Sequence, residues 1–83
     1  MHAHAHGHGV KEKSDRVALS FLKKAAKQGH TDAQCNLGCM YYLGRGVDVN
    51  YKKAIEWWEK AAKQGYAIAQ YNLGIMYQNG RGV

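Results

Sequence analysis

The chain contains almost the same thirty residues twice. When the sequence is shifted by 36 positions, residues 18–47 align with residues 54–83, and 18 of the 30 aligned positions are identical. A fixed period of this length is typical of helical repeat arrays, in which each repeat buries its apolar face against the next. The sequence therefore predicts an all-α fold, an α-solenoid of four antiparallel helices over residues 14–28, 31–43, 50–64 and 67–79.

Local signals indicate where these helices begin and end. Ala18 and Leu22 are spaced four residues apart and belong to an apolar stripe, which indicates one buried helix face. Gly29 and its repeat Gly65 can adopt the left-handed conformation that commonly ends a helix. Asn50 precedes the third segment, where its side chain can accept a hydrogen bond from an unpaired backbone amide.

Two other local patterns lie within or at the start of the second helix. Thr31 is followed three residues later by Gln34, the spacing of a capping box. Gly38 lies in mid-helix, where glycine costs about 1 kcal/mol relative to alanine, and Gly74 repeats it. We expect both glycines to permit the close approach of a neighbouring helix.

The first nine residues lack apolar periodicity and alternate histidine with alanine or glycine. We interpret residues 1–9 as a disordered His-rich tail, with a purification tag as its origin, and residues 10–83 as the repeat domain. Imidazole clusters bind zinc, nickel or copper, so the tail is expected to bind such metals adventitiously. A native metal-binding tail is the alternative. The histidines concerned are His2, His4, His6 and His8.

Composition limits the classes of partner. The formal charge is +6, from 12 Lys and Arg against 6 Asp and Glu, and lysines cluster on the first and third helices. Such faces can attract nucleic acid electrostatically, but Glu56 and Glu59 interrupt the second copy and stacking aromatics are missing there. We therefore predict a solvated face and no nucleic-acid partner. Since no apolar run reaches the ~20 residues of a membrane span, no membrane partner is expected either.

No catalytic or cofactor-binding constellation can be assembled from the sequence. His30 is the only histidine outside the tail, and no serine is matched with a histidine and a carboxylate. Cys35 and Cys39 place two thiols on one side of a helix, but a structural zinc site needs four ligands. The sequence thus predicts a protein that is not an enzyme, with no cofactor and no metal in the fold.

The residues shared by the two copies resemble the Sel1-like repeats, a branch of the tetratricopeptide-like helical repeats. The matching residues in the first copy are Ala18, Lys24-Ala-Ala-Lys-Gln-Gly29, Ala33-Gln-Cys-Asn-Leu-Gly-Cys-Met-Tyr41 and Gly44-Arg-Gly-Val47. The same pattern recurs over residues 54–83. Departures are Asp48, where the family often has proline, and His30 and Tyr66, where asparagine is frequent. The resemblance implies a right-handed superhelix of helix pairs that holds other proteins and does not itself catalyse.

The resemblance also implies where a partner binds. In related arrays the first helix of each pair lines a concave groove. Exposed aromatic, cysteine and isoleucine side chains in such a groove indicate that a binding partner covers them. The alternative is that this face contacts a neighbouring repeat or another copy of the chain. The predicted partner-binding residues are Asp32, Cys35, Asn36, Cys39, Tyr42, Ile68, Tyr71, Asn72, Ile75 and Gln78.

The predicted function is accordingly a protein–protein interaction scaffold module that binds a peptide or partner helix on its concave face. The chain starts with a second-type helix and stops after a first-type helix, whereas stable arrays need about three repeats with polar caps. We therefore expect a homo-oligomer formed through the uncapped repeat ends. The alternative is an engineered or self-assembling repeat unit that forms head-to-tail or swapped oligomers without a native ligand.

Overall fold

The computed structural model describes the backbone of residues 2–81 and the side chains of residues 13–81. Its helices are α1 (His2–Lys27), α2 (Thr31–Leu43), α3 (Tyr51–Lys63) and α4 (Ala67–Asn79). No strand occurs in the described residues, and the predicted all-α fold is confirmed. The bounds of α2 and α4 agree with those predicted, and α3 is one residue shorter at each end.

The first helix begins earlier than predicted. α1 starts at His2, whereas a disordered tail was predicted before a helix start at residue 14. The backbone can continue as helix because this segment contains no proline and includes alanine, the strongest helix former. The side chains of residues 1–12 lie outside the described set. The interpretation as a tag and metal binding by its histidines therefore stay predictions.

The predicted helix ends at glycine and asparagine positions are confirmed. Gly29 and Gly65 have φ angles of +95° and +86°, and each follows the last turn of a helix. The Asn50 side chain accepts a hydrogen bond from the backbone N–H of Lys53 at 3.1 Å. This bond satisfies one of the amides left unpaired at the start of α3.

The predicted capping box at Thr31 is wrong because Gln34 points into the protein. His30 precedes α2 without a side-chain cap. Gln34 is the buried polar side chain of the described core. The Gln34 Nε2 atom donates to the carbonyl of Ala26 at 3.1 Å. The Gln34 Oε1 atom accepts from Nε2 of Gln64 at 3.0 Å. Burial of an amide is tolerated when its polar atoms are paired. Gln34 thereby ties α1, α2 and the end of α3 together.

The helices pack in chain order, α1 against α2, α2 against α3 and α3 against α4. α3 therefore lies between α2 and α4 and contributes to the contacts on both sides. Within the described part of the chain, none of the helices has the length and apolar content needed to cross a bilayer. The core consists of Leu19, Ala26, Ala33, Cys35, Leu37, Met40, Tyr41, Ala54, Ile55, Trp58, Ala61, Ala69 and Met76.

The two mid-helix glycines have different surroundings. A Cβ atom added at Gly38 would lie 2.6 Å from Cδ1 and Nε1 of Trp58 and 3.1 Å from the carbonyl oxygen of Ala54. The predicted close approach is therefore confirmed for Gly38. The same expectation is wrong for Gly74, where an added Cβ would meet nothing within 4 Å. The reason is that α3 covers Gly38, whereas no helix in the described residues covers Gly74.

Candidate functional site

A groove of about 260 Å³ lies between α2 and α4. α3 closes its floor, because this helix packs against both walls. Apolar and aromatic side chains dominate the lining, and the amide of Asn72 is a polar group among them. The residues that line this α2–α4 groove are Cys39, Tyr42, Leu43, Trp58, Asn72, Ile75 and Met76.

Trp58 forms the floor and is held in place on three sides. Its indole Nε1–H donates to the carbonyl oxygen of Cys35 at 3.0 Å. One edge of the ring lies against Gly38, where a larger residue would not fit, and the Tyr42 ring lies 5.8 Å away between centroids at a tilt of 44°. A buried indole with a satisfied N–H loses little freedom when a ligand arrives, so the floor is preorganised.

One end of the groove carries a positive charge. Arg81 Nη1 donates to the hydroxyl of Tyr42 at 2.9 Å, and its guanidinium lies 5.7 Å from the centroid of the Tyr51 ring. The Tyr42 and Tyr51 rings are themselves 5.5 Å apart. Cation–π contact and hydrogen bonding therefore fix a guanidinium beside a groove wall.

The two walls carry almost no charge of their own. Among the 13 residues of α2 only Asp32 is charged, and α4 has no charged residue. Most of the lysines lie on α1 and α3 instead. A groove with neutral walls favours an apolar ligand group, because an ion would lose hydration there without gaining a partner.

The structure brings four of the predicted binding residues together in the groove, namely Cys39, Tyr42, Asn72 and Ile75. It leaves five others exposed and outside the groove lining. Tyr71 and Ile68 are the largest of these, with 69% and 58% of their surface exposed. The five are Asp32, Asn36, Ile68, Tyr71 and Gln78.

The placement of Cys35 on the binding face is a correction to the predicted set. Only 2% of its surface is exposed. Positions 35, 39 and 42 do share one side of α2, as helical spacing requires. One part of that side faces α3, however, and the other part faces the groove. Cys35 lies in the part that faces α3, and Trp58 on α3 donates to the Cys35 carbonyl. A ligand in the groove therefore does not reach Cys35.

Three groove residues were missing from the predicted set. Leu43 lies four residues after Cys39 on the same side of α2, so helical spacing alone could have found it. Trp58 and Met76 are both buried, with 3% and 1% of their surface exposed. Each also presents an edge to the groove. No local sequence signal distinguishes a core residue with such an edge from one without it.

The two cysteines differ in accessibility. Cys39 is half-buried and lines the groove, whereas Cys35 is buried, and both are free thiols. Burial, followed by the charge of Cys39 and a hydrogen bond with it, raises the pKa of the Cys35 thiol to about 11. The described residues contain no group of three or more His, Cys, Asp or Glu side chains that could hold a metal ion.

We expect a thiol reagent to label Cys39 and to spare Cys35 in the folded protein. At pH 9 a pKa of about 11 lowers the thiolate fraction of Cys35 about fiftyfold relative to a thiol with the ordinary pKa of 9.0. Labelling of a Cys39→Ser variant should therefore stay slow at pH 8, because burial, the largest cause of the raised pKa of Cys35, is retained in that variant. A Cys35→Ala variant should react readily at pH 8.

The control for this experiment is labelling in denaturant, where both variants should react at similar rates. The measurement is the rate at which the labelling reagent releases its coloured thiol, followed by absorbance. Similar rates for the two variants in the folded state would contradict the burial of Cys35.

Comparisons with known proteins indicate where each repeat begins and ends. A family model described as Sel1 repeat matches residues 2–30, 31–66 and 67–83. The middle match contains α2 and α3 entire, so these two helices form one whole repeat. α1 belongs to the match before it and α4 to the match after it.

Two solved structures resemble the chain. A Sel1 repeat protein from Oxalobacter formigenes is 38% identical with a TM-score of 0.79, covering 82% of this chain and 28% of its own. The protein c5321 is described as a protective antigen of uropathogenic Escherichia coli strains with an SLR fold. It is 42% identical with a TM-score of 0.75, covering 78% of this chain and 14% of its own. The chain thus spans less than a third of either protein, and a comparison with curated proteins gives no match.

Proposed function

The chain belongs to the Sel1 repeat family, and we propose that it is an interaction module. Repeats of this family generally form protein-interaction scaffolds. In this chain the α2–α4 groove would hold an apolar side chain of a peptide or partner helix. The observation that carries the proposal is the convergence of aromatic and aliphatic side chains on a preorganised Trp58 floor. Exposed concave apolar surface of this kind favours a protein partner.

The size of the groove supports a side chain as its ligand. At about 260 Å³ it is smaller than the ~300–1,000 Å³ typical of small-molecule sites. Asn72 lies in the wall and offers an amide that can pair with a peptide backbone. The arrangement favours one apolar anchor, such as an aliphatic or aromatic side chain, with its backbone hydrogen-bonded at the rim.

The proposed role is binding without catalysis. The Sel1 repeat fold is typically a non-enzymatic scaffold. Cys39 and Tyr42 are the titratable groups of the groove lining. Nucleophilic catalysis would need a base within hydrogen-bonding reach of the thiol, and the other lining residues are apolar or amides. We therefore assign the groove to recognition.

Selection of random peptides by phage display tests the proposal. Peptides selected on the wild-type chain should carry an apolar anchor and should lose at least about tenfold in affinity on an Ile75→Glu variant, because the new carboxylate is desolvated in the groove. Ile68→Glu is the matched control, since Ile68 is exposed on the same helix outside the groove lining. Titration by fluorescence anisotropy measures both. Equal losses on the two variants would exclude the groove as the binding site.

Self-association through the repeat ends is the second candidate function. The observation that favours it is the contrast between Gly38, which α3 covers, and Gly74, which is exposed at the equivalent position. A surface built like a helix interface but left open is a candidate for a second copy of the same element.

A further inference from the structure

The contact between α2 and α3 provides the template for an interface between two copies of the chain. In that contact Gly38 lies against Ala54 and Trp58, and Ala54 is completely buried. The 36-residue shift relates Gly38 to Gly74 on α4, and Ala54 to Ala18 on α1. Both equivalent residues, Gly74 and Ala18, are exposed. The chain therefore carries the two halves of this contact on α1 and α4, and no other described residues cover Ala18 or Gly74.

We propose that α1 of a second copy packs on the exposed face of α4 in the register with which α3 packs on α2. This inference deepens the second candidate function by naming the occupant and the register, and it does not depend on ligand binding in the α2–α4 groove. Its physical basis is that three pairs of equivalent residues can pack or hydrogen-bond in this register.

The first matched pair exchanges a small and a large side chain. In the template, the indole of Trp58 on α3 donates to the backbone carbonyl of Cys35 on α2. The 36-residue shift turns Cys35 into Tyr71 and Trp58 into Leu22. The larger side chain thus moves from the α3 position to the α4 position, and the summed volume of the two residues stays similar, as packed interfaces require. Tyr71 is 69% exposed in the single chain.

The second matched pair becomes apolar on both sides. In the template, the ammonium of Lys53 lies 5.7 Å from the centroid of the Tyr41 ring. The equivalents are Val17 and Tyr77, which are 59% and 50% exposed. The Tyr77 hydroxyl already donates to Glu59 at 3.0 Å, which leaves its ring available for contact. The proposed interface would cover both apolar side chains.

A third match involves the hydrogen-bonded glutamines Gln34 and Gln64. In the template, Gln64 Nε2 donates to Gln34 Oε1 at 3.0 Å. Gln70 takes the place of Gln34, and its Nε2 donates to the carbonyl of Ala62 at 3.2 Å just as Gln34 Nε2 donates to its own backbone partner. Gln28 takes the place of Gln64. The Oε1 atom of Gln70 is thus oriented to accept from Gln28 of the second copy.

The interface is heterologous, because it joins the α4 face of one copy to the α1 face of another. Each copy that joins retains one unused face, so association continues into a filament or closes into a ring. Two variants that each block one face test this directly. Gly74→Arg blocks the α4 face without a clash in the single chain, since nothing lies within 4 Å of an added Cβ. Ala18→Arg blocks the exposed α1 face.

Sedimentation velocity over a range of concentrations, in the presence of EDTA to exclude bridging by histidine-bound metal, measures the mass. Wild-type chain should form species at two or more times the 9.3 kDa monomer mass, whereas each variant alone should stay monomeric and fully helical by circular dichroism. An equimolar mixture of the two variants should form a dimer and nothing larger, because only one intact pair of faces remains.

Three results would overturn the inference. A wild-type chain that is monomeric at every concentration would exclude both the interface and self-association itself. Association retained by either variant would leave self-association as a function but place it elsewhere on the surface. A mixture that stays monomeric, although the wild type associates, would indicate a two-fold interface instead of a head-to-tail one.

Discussion

Replacement of Gly38 by alanine is expected to lower the free energy of unfolding by about 2 kcal/mol, whereas the same replacement at Gly74 should raise it by up to about 1 kcal/mol. The two glycines occupy equivalent positions of the repeat, 36 residues apart in mid-helix. Alanine favours the helix equally at both. The opposite signs therefore arise from packing alone.

The loss at Gly38 comes from Trp58. A Cβ atom there would lie 2.6 Å from two atoms of the indole ring, which is far inside van der Waals contact, and 3.1 Å from a backbone oxygen of α3. The ring cannot simply turn away, because its Nε1–H is bonded to the Cys35 carbonyl and its face is packed near Tyr42. Relief requires either a shift of α3 or loss of that hydrogen bond, which costs about 1–3 kcal/mol when the donor stays buried.

Urea denaturation followed by circular dichroism measures both effects. Gly74→Ala is the matched control, because it makes the same chemical change at an open position. The measurement should be made at a concentration where the wild type is monomeric, since association through the α4 face would stabilise the folded chain. A stabilising effect at both positions would contradict the tight contact between α2 and α3.

Repetition made the helices predictable. The shared pattern of residues 18–47 and 54–83 supplied two independent observations of each helix type, and glycines with left-handed backbone supplied the ends. Asn50 was predictable as a cap because its role depends only on residues a few positions away. Such local chemistry is the same in every copy.

Features that depend on which neighbour covers a face were not predictable. Gly38 and Gly74 both follow Asn-Leu and precede Met-Tyr by one residue, yet among the described residues a helix covers only Gly38. Cys35 shares a helix side with Cys39, but α3 covers the one and leaves the other at the groove. Helical spacing gives the direction of a side chain and does not give the identity of what it meets.

Contacts between residues that are far apart along the chain could not be predicted from the sequence either. Arg81 reaches Tyr42 across 39 positions and supports the rim of the groove. It belongs to the second copy of the Gly-Arg-Gly-Val segment, which the sequence indicated only as part of the repeat pattern. Similarly, Glu59 accepts a hydrogen bond from the Tyr77 hydroxyl on the next helix, 18 positions away.

Replacement of Trp58 by alanine is expected to have the largest effect on stability, a loss of about 3–5 kcal/mol, while Trp57→Ala should cost only about 1 kcal/mol. The two tryptophans are adjacent in the sequence but differ in environment. Trp58 is 3% exposed and contacts Cys35 and Tyr42 on α2. Trp57 is half-buried, with the ammonium of Lys60 lying 5.6 Å from its ring centroid.

The size of the loss at Trp58 follows from the contacts that alanine removes. The substitution leaves a cavity between α2 and α3, deletes the bond to the Cys35 carbonyl and removes the ring against which Tyr42 packs. A domain of this length has about 4–12 kcal/mol of stability in total, so Trp58→Ala would remove a large part of it. Trp58→Phe keeps most of the volume and removes only the donor, and we expect it to lose about 1 kcal/mol.

Circular dichroism during urea denaturation compares the three variants without relying on tryptophan fluorescence. The expected order of midpoints is wild type, then Trp57→Ala and Trp58→Phe together, then Trp58→Ala far below. Because Trp58 is also the floor of the α2–α4 groove, the Phe variant should remain folded while binding selected peptides more weakly than Trp57→Ala does. Equal losses of stability for Trp57→Ala and Trp58→Ala would mean that α3 is not packed against α2 through Trp58, and the groove would then lose the element on which it is built.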